Sequence, residues 1–298
     1  MFRFFSGSAN PYPLALFRVA LYSGIMLHFW PSLFFLSENY KPTAFREQQW
    51  SRGLFDLLPL LPDWAPYGIA AVFMAACLCG LLGLLPRTAA ILTFAGTYTF
   101  ASFNSIHLQT LALSSIWAAL PILAISGSGS EALSVRNLIS RDQPGRAKQW
   151  AAAVLLLQLL IGFFFAGVEK LLAGWPFTNE MYLFLNYPQG FMVRDWIFAV
   201  PILQTVTAGY VLSLATVAIE LCIAPFLLWQ RTRWIALFVF QAFFIGVVAA
   251  LEVPPLFWFV YASGAILVIN DADIAALRSR LGRQAPESTP QESHATHL

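Results

Sequence analysis

Residues 150–173 read Trp-Ala-Ala-Ala-Val-Leu-Leu-Leu-Gln-Leu-Leu-Ile-Gly-Phe-Phe-Phe-Ala-Gly-Val-Glu-Lys-Leu-Leu-Ala, and this stretch decides the fold. Only Gln158, Glu169 and Lys170 interrupt the apolar run, and the two charges fall near its C-terminal end. A helix rises about 1.5 Å per residue and the hydrocarbon core of a bilayer is roughly 30 Å thick, so about 20 such residues suffice to cross it. The run is too long for a strand and does not alternate, so it reads as a spanning helix.

Working outward, comparable runs lie near 13–36, 66–86, 88–105, 108–126, 202–229, 233–251 and 254–270. With 150–173 they make an all-α, polytopic transmembrane bundle of about eight spans. Two junctions are tight, Pro86-Arg87 and Asn104-Ser105, so the layout admits seven to nine spans. The tandem Pro254-Pro255 separates the last two, because a proline cannot continue a helix. Composition agrees: 58% of the 298 residues are hydrophobic and 11% charged, against roughly 25% charged in a soluble domain. A net charge of +2 without a concentrated basic face speaks against a nucleic-acid partner. The first run is too long for the apolar core of a cleavable signal, so it is expected to be retained.

The basic residues set the expected orientation. With eight spans, Arg3, Arg87, Arg136, Arg141, Arg146, Lys148, Arg231, Arg233, Arg278, Arg280 and Arg283 share one side, while Lys41, Arg46, Arg52, Lys170 and Arg194 share the other. Both termini are therefore expected in the cytoplasm of an inner membrane or its equivalent. Residues 1–270 form the membrane domain. Residues 271–298 form a tail that starts amphipathic at Asp271–Leu281 and ends in a polar, Pro- and Glu-containing segment unable to bury enough apolar area to order itself. The Gly/Ser-containing inner loop 127–149 is expected at the surface. The outer loops 37–65 and 174–201 carry the most mixed chemistry, with an interfacial helix expected over 45–58.

Ionisable groups inside the spans narrow the functional reading, because they are costly there. Lys170, counted from Trp150, falls near the outer boundary. Ala166 and Gly162 stand four and eight residues before it on the same face, where a neighbouring helix or a ligand can come close. The bland alternative is a lysine snorkelling to the headgroups. Glu220 lies deep in the sixth run and needs a cationic partner; Arg18, at similar depth in the first run, is the expected one, giving a structural Arg18–Glu220 pair. His107 sits with Asn104, Ser105 and Gln109 in the turn between the third and fourth runs. Cys77, Cys79 and Cys222 read as packing residues. No metal-ligand spacing, phosphate loop or nucleophile elbow is present in the sequence, and no metal is expected.

The segment Phe-Phe-Phe-Ala-Gly-Val-Glu-Lys-Leu-Leu-Ala-Gly-Trp (163–175) resembles the signature of the vitamin K-dependent γ-carboxylase-like, or HTTM, membrane family. Ala-Leu-Phe-Arg-Val at 15–19, the Asn104-Ser105 turn and the stretch from Glu220 to Arg233 are similar to the family too. The resemblance implies that Lys170 is a base acting on a reduced quinone, such as vitamin K hydroquinone or menaquinol, with Asn104 and His107 as companions and Trp175 closing the motif. Such a base must be neutral, desolvated and free of a tight carboxylate. The sequence departs from the animal enzyme in having Glu169 where a lysine precedes the base, and Ser105 where a histidine follows the asparagine. The polar block that would form the large lumenal domain is also missing. The alternative is a non-catalytic small-molecule transporter or channel, or a partner subunit, in which Lys170 anchors a helix.

Overall fold

A computed structural model describes residues 8–34, 64–103, 111–127, 132–140, 147–186, 193–251 and 255–280. The expected interfacial helix at 45–58, the turn holding Asn104, Ser105, His107 and Gln109, and the tail beyond Arg280 lie outside the described residues. The described chain is helical apart from one two-residue ladder, and it divides into two compact units, Met1–Val268 and Ile269–Leu298.

In the first unit the apolar runs become helices at the expected places. These are α1 (Pro11–Phe34), α2 (Ala65–Leu82), α3 (Pro86–Phe103), α4 (Leu111–Ser126), α6 (Gln149–Leu172), α9 (Val206–Leu228), α10 (Arg233–Ala250) and α11 (Pro255–Ile266). The short α5 (Val135–Ser140) lies between α4 and α6. Pro86 and Pro255 each open a helix, where a missing N–H costs nothing. Strands β1 (Ser8–Ala9) and β2 (Ala147–Lys148) pair antiparallel, Ser8 opposite Lys148, which brings the starts of α1 and α6 to the same end of the bundle.

Among the described residues five helices are long and apolar enough to cross a membrane: Pro11–Pro31, Ala65–Leu82, Gln149–Leu172, Val206–Leu228 and Arg233–Ala250. Ser115–Ser126 and Leu256–Ile266 are shorter and equally apolar in character. Ile161, Phe165, Val211, Ile235, Phe238 and Ile245 all point outward from α6, α9 and α10. A soluble monomer rarely shows apolar surface on that scale; lipid removes the objection.

The interior is aromatic. Phe163 of α6, Phe240 and Phe244 of α10 and Tyr261 of α11 are buried together, with Phe244 and Tyr261 stacked at 5.3 Å. The Tyr261 hydroxyl lies 3.4 Å from Ser115 Oγ on α4, giving its polar tip a partner. Helix α1 packs along α11 and α2, and α6 along α9.

The segment after α4 departs from its expected place at the surface. Ala132 and Ser134 are buried, and Arg18 Nη2 donates to the Leu133 carbonyl at 3.0 Å. A backbone carbonyl inside the bundle must be paired, and the guanidinium of α1 pairs this one.

In the second unit α12 (Asp271–Arg280) starts on a reciprocal cap. Asn270 Oδ1 accepts from the Asp273 N–H at 3.0 Å, and Asp273 Oδ2 accepts from the Asn270 N–H at 2.9 Å. Two otherwise unpaired donors at the helix start are satisfied this way.

Candidate functional site

The last turn of α6 carries the chemistry. Lys170 Nζ donates to both carboxylate oxygens of Glu220 on α9, each at 2.7 Å. The Glu220 side chain is 8% exposed and that of Lys170 is 24% exposed, so the carboxylate is enclosed while the lysine keeps one open side. The Trp175 ring covers part of that side, its centroid 5.5 Å from Nζ, within reach of a cation–π attraction.

Local sequence explains each placement. Helix α6 ends at Leu172, and Gly174 follows at φ +82°, a left-handed turn that glycine adopts without strain. That turn reverses the chain into the 3-10 helix Trp175–Phe177 and brings the indole back over Lys170. One turn before Lys170, Gly167 is buried against α9. A Cβ at this position would stand 2.9 Å from Glu220 Cβ and 3.0 Å from the Leu221 nitrogen. The glycine of the Ala-Gly step is thus what lets the α9 backbone close on α6 and deliver Glu220 to the lysine. Gly162 and Ala166, expected as the small-residue face, are half-buried, and the tight contact falls at Gly167.

The expected Arg18–Glu220 pair is corrected: Glu220 takes Lys170, and Arg18 binds the Leu133 carbonyl. The reason is partly lateral, since α1 packs on α11 and α2 while α9 packs on α6. It is also a matter of depth. Glu220 lies 14 residues past Val206, about 21 Å, and 8 residues before Leu228, about 12 Å, hence near the middle of α9. Lys170 sits two residues from the end of α6, yet it meets Glu220 because α6 stops there while α9 continues. Glu169, its neighbour in sequence, is exposed and makes no ion pair with it.

The segment expected as the outer loop 174–201 forms short helices beyond α6. Helix α7 (Glu180–Asn186) packs on the first turns of α9, and the Met181 N–H donates to Ser213 Oγ at 3.1 Å. Helix α8 (Asp195–Phe198) is fastened to the end of α10: Trp196 Nε1 donates to the Ala249 carbonyl at 2.7 Å and Arg194 Nε to the Val248 carbonyl at 3.2 Å. These are final-turn carbonyls that the helix itself leaves unpaired. Leu185, Val193 and Ile197 form a small core beneath the cap, with Met181, Leu203 and Leu212 around it.

Among the described residues, no group of three or more His, Cys, Asp or Glu side chains is placed to hold a metal. Sequence reasoning found Lys170, Trp175 and Glu220 separately and missed that Glu220 belongs to Lys170. The buried Gly167 was within the quoted motif but not singled out. Asn104 and His107 fall outside the described residues.

A helical bundle with apolar outer faces and a charged pair in its interior defines an integral membrane protein. The chain belongs to the HTTM domain family, whose pattern it matches over residues 8–269; the domain is found in vitamin K-dependent γ-carboxylase-like proteins. No curated protein matches the chain. No solved structure matches it either.

Proposed function

We propose that this is an eight-span inner-membrane protein with both termini in the cytoplasm, in which the Lys170–Glu220 pair moves a proton from a lipid-soluble hydroxyl substrate, a reduced quinone being the class implied by the family. The span count is supported by the β1–β2 ladder, which asks for an even number of crossings between residues 9 and 147; α1, α2, α3 and α4 supply four. Four more follow in α6, α9, α10 and α11.

The observation that carries the chemical reading is the open side of Lys170 beneath Trp175, with Glu220 behind it. A lysine already bound to a carboxylate does not act as a neutral base by itself. The pair can act as one unit: Glu220 accepts the hydroxyl proton, and the Lys170 ammonium stays beside the oxyanion left on the substrate, cancelling its charge where water is scarce. Trp175 offers an indole face against which a planar ring stacks. Exposed Phe165, Leu171 and Leu172 around the end of α6 suit arrival from the bilayer.

A second reading keeps the pair as a strut. Its two short contacts and the close approach at Gly167 also join α6 to α9, as a transporter, channel or partner subunit without catalysis would need.

The experiment compares wild type with the apolar replacement Lys170→Met/Glu220→Leu in detergent, titrating menaquinol and vitamin K hydroquinone by thermal shift and then measuring quinol-dependent O₂ uptake. Expected is a saturable shift and uptake in wild type, with both lost in a double variant of unchanged starting stability. Equal quinol responses in two well-folded proteins would refute the proton-transfer reading and leave the strut.

A further inference from the structure

At the end of the bundle where α1 and α6 begin, a hollow of about 460 Å³ is lined by Leu85, Pro86, Arg87, Thr88, Ser126, Gly127 and Lys148. It stands apart from the Lys170–Glu220 pair, which occupies the far end of α6. Its walls come from three places in the chain: the turn between α2 and α3, the end of α4, and β2.

The chemistry of the lining is one-sided. Arg87 and Lys148 are both exposed, and among the described residues no carboxylate lines the hollow and neither cation has an ion-pair partner. Two positive charges sharing one cavity repel, and none of the described lining residues offsets them. The Thr88 hydroxyl adds a neutral donor.

The backbone makes room for the Arg87 guanidinium. Gly127 has φ +56°, and a Cβ on it would stand 3.1 Å from Arg87 Nε and 3.3 Å from Nη2. Among the described residues Arg87 makes no hydrogen bond to the last turn of α4, where Leu123 O accepts from the Gly127 N–H at 3.1 Å and from Ser126 Oγ at 3.3 Å. The arginine therefore lies along the hollow with donors to spare.

We infer that this hollow binds a phosphate group through Arg87 and Lys148. The group is either the phosphodiester of an anionic lipid or a free phosphate. Leu84 and Leu85 are exposed beside the cavity, a surface along which acyl chains run while the headgroup sits on the cations. Basic pockets between helices hold anionic headgroups by this combination.

The test uses the full chain in detergent, following the unfolding midpoint during titration with short-chain phosphatidylglycerol, phosphatidylcholine and potassium phosphate at fixed ionic strength. Expected is a saturable rise with phosphatidylglycerol and none with phosphatidylcholine. Arg87→Gln and Lys148→Gln should each raise half-saturation about fivefold, and together about 30-fold. Arg231→Gln, an exposed arginine outside the lining, should change nothing. A saturable rise with potassium phosphate that Arg87→Gln weakens assigns the site to a soluble anion; no rise with phosphate assigns it to lipid. Equal responses to the two lipids, an unchanged half-saturation in the double variant, or an equal loss in Arg231→Gln would overturn the inference. Should the double variant start at a lower midpoint, native mass spectrometry of wild type decides: preferential retention of phosphatidylglycerol supports the site, and none overturns it.

Discussion

Arg18 and Lys170 are both cations carried by apolar helices, and the bundle treats them differently. Arg18, on α1, is 3% exposed and donates to a backbone carbonyl at Leu133. Lys170, on α6, keeps an open side and faces a carboxylate. A guanidinium does not give up its proton in a protein, whereas an ammonium on a carboxylate is a site where a proton can change hands. The first arrangement serves the path of the chain between α4 and α5. The second keeps a reactive group and holds two helices together at once.

Substitutions can break that comparison, and the largest effect belongs to the pair. Glu220→Ala leaves Lys170 charged in the bundle and should cost about 3–5 kcal/mol, toward the low end because the lysine is partly exposed. Chemical unfolding in detergent reads it, and a loss below 1 kcal/mol would show that water already compensates the lysine. Gly167→Leu should cost about 1–3 kcal/mol by forcing α9 away from α6. The same variant should weaken any quinol response, because Glu220 moves with α9. Arg18→Met should cost about 1–2 kcal/mol, the price of one unpaired carbonyl, and leave quinol binding intact; a variant that folds normally yet loses binding would place α1 in the site. Trp175→Leu should be the mildest, about 0.5–1 kcal/mol through the lost cation–π contact. Lys170→Arg sharpens the contrast: thermal stability near wild type with no proton transfer would separate charge pairing from proton exchange.

Much of the fold was legible because spanning helices announce themselves by length and hydropathy, and Pro86 and Pro255 mark two boundaries directly. The partner of Glu220 was not. Depth counted along a helix gives a common scale only if the helices lie in register, and α6 is offset against α9, since Lys170 two residues from its end meets Glu220 14 residues past Val206. Helix α6 stops at Leu172 and leaves 173–205 to build α7, α8 and two 3-10 turns over the remaining length of α9. The mixed chemistry of 174–201 marked it as an outer loop. In the fold, its apolar residues Leu185, Val193 and Ile197 make a core, and Arg194 and Trp196 spend their donors on the end of α10. Lys170 and Trp175 could be read because they share one short motif. Glu220 is 50 residues away from Lys170, so its role depends on helix order.

The packing of α1 on α11 has a consequence for biogenesis. Gly24 of α1 lies so close to α11 that a Cβ there would stand 2.7 Å from Phe259 Cβ and 3.2 Å from Leu256 Cδ1. Helix α1 therefore leaves the ribosome well before one of its principal neighbours. Position 256 follows position 24 by 232 residues, which at roughly 5–20 residues per second is a wait of roughly 10–50 s. Throughout that interval the notch at Gly24 faces lipid or the insertion machinery. The α1 face closes only when translation has delivered α11.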